Sequence, residues 1–188
     1  MAQFTKQDRE TLIGWFPRLA SDNHFQITSE CTPLYNCIGW ALGLDDVWVA
    51  LDHPSNMPWI WWPKGVPATE KQSSLIALFA YFGFEKCNDA EAEDGFDKVA
   101  LYGIDGNWTH AARVVAKDEF HSKIGTAWDI HHSNGDVFAD TEYGEVFAYM
   151  KRLIVNRHLS QDLRPQAIRY CIDGVWYTTL VNQSNINQ

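Results

Sequence analysis

The chain lacks most of the features that would assign a function quickly. Its four cysteines, Cys31, Cys37, Cys87 and Cys171, include no CxxC pair, so neither a zinc cage nor a redox dithiol is expected. The N-terminus, MAQFTKQDRETLIGWFPRL, carries no basic segment followed by an apolar one, so no secretory signal is read there. Free thiols are expected, in the cytoplasm or in a protein exported by a signal-peptide-independent route. The longest apolar stretch, Leu75 to Phe84, reaches about half the length of a membrane span. No basic cluster interrupts a formal net charge of −9, which argues against nucleic acid and against anionic membrane surfaces. There is no glycine-rich phosphate loop and no internal repeat, and no cofactor is expected.

Aromatic residues, by contrast, are abundant. Nine tryptophans are spread along 188 residues, enough chain for one well-buried core over residues 1–181, followed by a polar tail at 182–188. Thr5 is placed to cap a first helix running to about Phe16. The segment Asn36–Gly43 reads as a short buried helix, and Thr69 with Gln72 forms a capping-box pattern ahead of a helix over Leu75–Phe82. Beyond residue 97 the periodicity changes. Lys98–Ile104 and Trp108–Ala116 read as strands joined at Asp105-Gly106, with a further strand at Phe120–Ile124. The stripe Val146, Phe147, Met150, Leu153 predicts a helix over Thr141–Asn156. Gln166–Ile172 and Val175–Val181 form a second hairpin around Asp173-Gly174. Helices first and an antiparallel sheet later is an α+β order.

Chemistry centres on Cys37. A cysteine at a helix start gains partial positive charge and free N–H groups, which favour the thiolate and can hold an oxyanion. His110, at the start of a predicted strand beside Ala111 and Ala112, is the candidate base. Asn36, Trp40, Trp61 and Lys123 are candidate substrate contacts, and Arg113 is a further cation that can meet a substrate carboxylate. Trp59, Trp61 and Trp62 read either as a groove wall or as a lid over the core. His110, His131, His132 and Asp129 are metal-type donors but show no familiar ligand spacing, so no metal site is expected. The acidic run Asp89–Asp94 reads as a solvated loop.

A helix-borne cysteine followed by a hairpin whose second strand opens on histidine resembles the papain-like cysteine peptidase superfamily. The nearest branch is the NlpC-type endopeptidases and amidases. Residues 12–152 also resemble an uncharacterised bacterial domain family, through Tyr35-Asn36-Cys37-Ile38-Gly39-Trp40-Ala41, Lys98-Val-Ala-Leu-Tyr102, Thr109-His110-Ala-Ala-Arg113, Ser122-Lys-Ile-Gly125, Asp129-Ile-His-His132 and Tyr143-Gly144. The first resemblance implies a papain-like fold, N-terminal helices on a small antiparallel sheet, and acyl transfer at a peptide or amide substrate. It implies Cys37 as nucleophile, His110 as base and a third polar residue on the following strand. His132 is preferred for that third place, with His121, Ser122 and Asp129 as alternatives. The NlpC-type pattern has Asp-Cys-Ser where this chain has Asn36-Cys37-Ile38, which keeps a second reading in play: a catalytically inactive binding module, open to a regulatory protein partner.

Overall fold

The structure is a computed structural model that describes residues 4–51, 60–133, 135–172 and 175–181, with side chains described through residue 165. The first helix, α1 (Lys6–Trp15), starts as the sequence predicts: Thr5 accepts from the Asp8 N–H and Asp8 reaches back to the Thr5 N–H. A 3-10 turn at Pro17–Ser21 and the two-residue strand β1 (Gln26–Ile27) follow. Helix α2 (Cys37–Leu42) begins from Asn36 and ends at Gly43, whose φ of 86° closes the helix in the left-handed region. Gly39 inside α2 is required by contact, because a Cβ there would lie 2.3 Å from the Val47 carbonyl oxygen. The parallel pair β2 (Trp48–Val49) and β3 (Ile60–Trp61) then leads to α3 (Gln72–Tyr81). Trp59 lies outside the described residues.

Helix α3 starts differently from the capping-box expectation. Lys71 is its N-cap, without a side-chain bond, and Thr69 bonds Ser74 instead. The helix start is held by the hairpin turn, the Gln72 N–H donating to the Gly106 carbonyl. Strand β4 (Glu85–Cys87) follows. The long strands are β5 (Phe96–Ile104) and β6 (Asn107–Ala116), turning at Asp105 and Gly106 with φ of 50° and 79°. After them come β7 (Glu119–Lys123), β8 (Asp129–His132), a 3-10 turn at Gly135–Phe138 and β9 (Glu145–Leu153). A short α4 (His158–Leu163) precedes the hairpin β10 (Gln166–Ile172) and β11 (Val175–Val181), whose expected turn residues and the tail 182–188 lie outside the described residues.

Strand β9 overturns the helix expected over Thr141–Asn156. Its apolar residues fit a helical stripe, but they serve both faces of a strand paired on each side, to β5 and to β4. Phe147 packs on one core and Val146 and Tyr149 on the other, with a register shift at Leu101/Tyr102 that fits Phe147 in as an extra residue. Gly144 at φ 70°, against the Gly103 carbonyl, fixes where the strand begins.

The result is a seven-stranded antiparallel sheet in the order β1-β8-β7-β6-β5-β9-β4, with few and short helices. Alternate residues of β5 and β6 feed two cores. Val99, Leu101 and Ala111 pack with α2 and α3, whereas Ala100, Tyr102, Ala112 and Val114 pack with α1 and the 3-10 turns. Arg152 of β9 is buried among the elements of the first layer. It bonds Asp97 of β5, the Leu42 carbonyl of α2, the Phe82 carbonyl after α3 and Ser160 of α4. Among the described residues no helix is long and apolar enough to cross a membrane.

Candidate functional site

Cys37 is the first residue of α2, and Asn36 holds it there. Asn36 Oδ1 accepts from the Gly39 and Val49 N–H groups, at 3.0 and 3.1 Å, while Nδ2 donates to the Val49 carbonyl at 2.8 Å. An aspartate could accept both N–H bonds but could not donate the third, so asparagine is the residue that fits this cap. The Cys37 thiol is 8% exposed. Burial pushes it up to about 11, against the opposing pull of main-chain N–H groups of Ala111, Ile38 and Cys37 itself and of the Lys123 charge. At rest the sulfur is therefore a neutral thiol surrounded by donors.

His110 on β6 is fully buried. Its Nε2 lies 3.1 Å from Ser122 Oγ, and Ser122 Oγ lies 2.8 Å from His132 Nε2, so the hydroxyl bridges the two imidazoles. His110 Nδ1 is buried without a hydrogen-bond partner. An orphaned N–H is costlier than an orphaned lone pair, so the favoured tautomer carries the proton on Nε2, donating to Ser122, and leaves Nδ1 bare. That is the form a general base needs. Burial, then the neighbouring His132, push His110 well below the ordinary histidine value, so the ring is neutral. The ring lies flat on Tyr143, with centroids 4.2 Å apart and 6° between planes, and edge-on to Phe138.

Cys37 and His110 are brought near but not joined. Their side chains belong to opposite sheet faces, and no hydrogen bond reaches His110 Nδ1. The connection is through the strand: the Ala111 N–H, one residue beyond His110, points at the Cys37 sulfur. Of the candidates for the third place, Ser122 touches His110 and His132 stands one hydroxyl behind it. His121 takes the other face of β7, stacked on His131, and Asp129 bonds the Tyr35 hydroxyl at 2.8 Å.

Lys123 is fully buried, an unusual state for an ammonium. It donates to the Ala127 carbonyl, lies 3.8 Å from Asp129 Oδ1 and sits over the Tyr35 ring. Burial lowers its pKa, while Asp129, Cys31 and Cys37 act to keep it charged. Trp40 is sandwiched, stacked on Tyr35 and lying under Arg113, whose Nε also bonds the Trp40 carbonyl at 2.7 Å. Trp61 is in the core against Phe82, and Trp62 stacks on Trp108, so both of the described loop tryptophans pack on the core. Tyr143 was not singled out from sequence as a site residue, although it stands in the Tyr143-Gly144 motif. It lines a cavity of about 600 Å³ together with Trp15, Ile124, Ala127, Asp140 and Glu142, and burial pushes its hydroxyl well above the ordinary tyrosine value.

A model of the family described as "Domain of unknown function (DUF7689)" matches residues 26–151, more than half of the chain. The chain belongs to this family. The DUF7689 span runs from β1 into β9, and so contains α2, the His110–Ser122–His132 bridge and Lys123 but not α1 or the β10–β11 hairpin. Neither a curated protein nor a solved structure matches the chain.

Proposed function

We propose that this domain is a cysteine-dependent amide hydrolase of papain-like plan, with Cys37 as nucleophile and His110 as general base. One observation carries the reading. Ser122 Oγ bridges His110 Nε2 and His132 Nε2, and His110 Nδ1 is left without a partner one residue from the amide that bonds the Cys37 sulfur. A buried network that ends on an unpartnered imidazole nitrogen, on the strand whose next amide bonds a helix-start cysteine, has the parts of a nucleophile, base and orienting group.

The reaction follows from the resting protonation states. With thiol and imidazole both neutral, the Cys37 side chain must first turn out of the first core toward His110 Nδ1, to which it would pass its proton as the sulfur attacks the substrate carbonyl carbon. The new imidazolium is held by the Nε2–H bond to Ser122. The oxyanion meets the N–H groups at the start of α2 and the Lys123 charge. Collapse breaks the carbon–nitrogen bond, His110 returns the proton to the departing amine, and a thioester remains on Cys37. Water, deprotonated by His110, then attacks the thioester; the carbon–sulfur bond breaks, the carboxylic acid leaves, and His110 returns the proton to the Cys37 sulfur. The cavity that Tyr143 lines, with apolar Trp15 and Ile124 and acidic Asp140 and Glu142, has neither Cys37 nor His110 in its wall, so a substrate bound there would reach them only past the Tyr143 ring. Its acidity favours a neutral or basic amide, or the backbone of a peptide, over an acidic one.

A second reading, a binding module that has lost the chemistry, is favoured by the sealed thiol and by the missing sulfur–imidazole bond. Peptide acyloxymethyl ketones separate the two, because an activated cysteine displaces their carboxylate leaving group and is held as a thioether. The hydrolase reading expects the adduct on Cys37 alone and its loss in Cys37→Ala. Labelling that follows exposure, with the exposed Cys31 first, is the result expected of a binding module.

A further inference from the structure

The two strands that carry Ser122 and His132 inward carry a different set of groups on their other face. Glu119 and His121 leave β7 two residues apart, and His131 leaves β8 directly opposite His121. The two imidazoles stack with centroids 3.5 Å apart and 13° between planes. His121 Nε2 lies 3.4 Å from Glu119 Oε1, and His131 Nδ1 lies 3.9 Å from the same oxygen. One ligand atom from each residue falls within 4.8 Å of the other two. A tetrahedral ion with bonds of about 2.1 Å needs donors roughly 3.4 Å apart, close to the separations here, and the stacked rings would open toward the ion to aim their lone pairs at it.

We infer that Glu119, His121 and His131 form a binding site for a first-row divalent transition ion, zinc being the best match, on the outer face of β7 and β8. Two imidazoles and one carboxylate are borderline donors that suit zinc, cobalt or nickel better than magnesium or calcium. The fourth position is open. The set lies at a cavity of about 310 Å³ lined by Asn23, His24, Gln26, Glu119 and His131, so water or His24 can complete the shell. The site joins strands whose inward residues form the His110 network, so an ion here would stiffen the frame of that network while touching none of its members. The inference stands independently of the proposed hydrolase chemistry.

Cobalt(II) titration of the full chain is the direct test, because the visible spectrum separates imidazole and carboxylate ligation from thiolate ligation. One equivalent is expected to bind without a thiolate charge-transfer band and to be displaced by zinc. Affinity is expected to fall at least tenfold in His121→Ala and in His131→Ala, and less in Glu119→Gln, each folded by circular dichroism. Zinc should also protect His121 and His131 of the unmodified chain from diethyl pyrocarbonate, a readout that needs no variant. Absence of saturable one-to-one binding would overturn the site. So would unchanged affinity in the double histidine variant, or a thiolate band placing the ion on the cysteines.

Discussion

His110→Ala is expected to slow acylation of Cys37 by roughly 10²- to 10⁴-fold, the range that a positioned general base contributes. The reason lies in the resting thiol. A thiol pushed up to about 11 is ionised to only about one part in 10⁴ at pH 7, so reaction through free thiolate is very slow. Any substantial rate at neutral pH must come from proton transfer during attack, and His110 Nδ1 is the base whose lone pair is unclaimed. Ser122→Ala removes the bridge to His132 but leaves the ring in place against Tyr143 and Phe138. A smaller loss of about tenfold is expected there, because the ring can still visit the working tautomer. The check is the second-order rate of acylation by an activated ester such as a p-nitrophenyl ester, read from release of nitrophenolate, on variants whose urea midpoints confirm folding. Equal rates in wild type and His110→Ala would mean that the imidazole takes no part.

The largest stability loss is expected at Arg152. Its guanidinium is buried and gathers a carboxylate, two main-chain carbonyls and a hydroxyl from four elements. Arg152→Ala leaves Asp97 to Arg157 alone and strips a donor from the α2 and α3 ends, at about 2–4 kcal/mol, from one weakened ion pair and buried acceptors left short of a donor. Arg152→Lys is not expected to rescue it, since a single ammonium cannot span the same fan of acceptors. Urea unfolding with an unchanged slope would measure the loss. A pH dependence follows from the same cluster. Burial opposes ionisation of Asp97, but hydrogen bonds from Arg157 and Arg152 outweigh it and hold the carboxyl below its ordinary value. That stabilisation is complete above the ordinary aspartate value of about 3.9 and is lost as the pH falls through the lower folded value. Wild type should therefore lose stability more steeply below about pH 4 than Asp97→Asn does.

Local signals were legible where the chain itself holds the answer. Thr5, Asn36 and Gly43 state the ends of α1 and α2, and Asp105-Gly106 states the hairpin, because caps and turns are bonds between near neighbours. Strand β9 was not legible, because its period-3.6 stripe arises from serving two cores across a register shift, and only its partners reveal that. Strand β8 hid in the same way: Asp129-Ile-His-His132 is too short and too polar to announce a strand, yet its pairing with β7 delivers His132 to Ser122. Alternation from Phe120 does turn Ser122 toward the face of His110, so that contact was within reach of sequence. Asparagine at position 36 has a reason visible only in three dimensions, its amide nitrogen donating to the Val49 carbonyl. Tyr143 stacks on His110 from 33 residues away in the chain, and no local pattern predicts it.

The central claim is that His110 drives attack by a thiol that is neutral at rest, and the pH profile of Cys37 acylation tests it most directly. With His110 as base, the rate is expected to be nearly flat between about pH 6 and 9, since the imidazole is already neutral and the thiol still protonated across that range. The plateau should vanish in His110→Ala. A rate that rises about tenfold per pH unit toward 11, identical with and without His110, would mean that Cys37 is an ordinary buried thiol and that the domain does not work as a cysteine hydrolase.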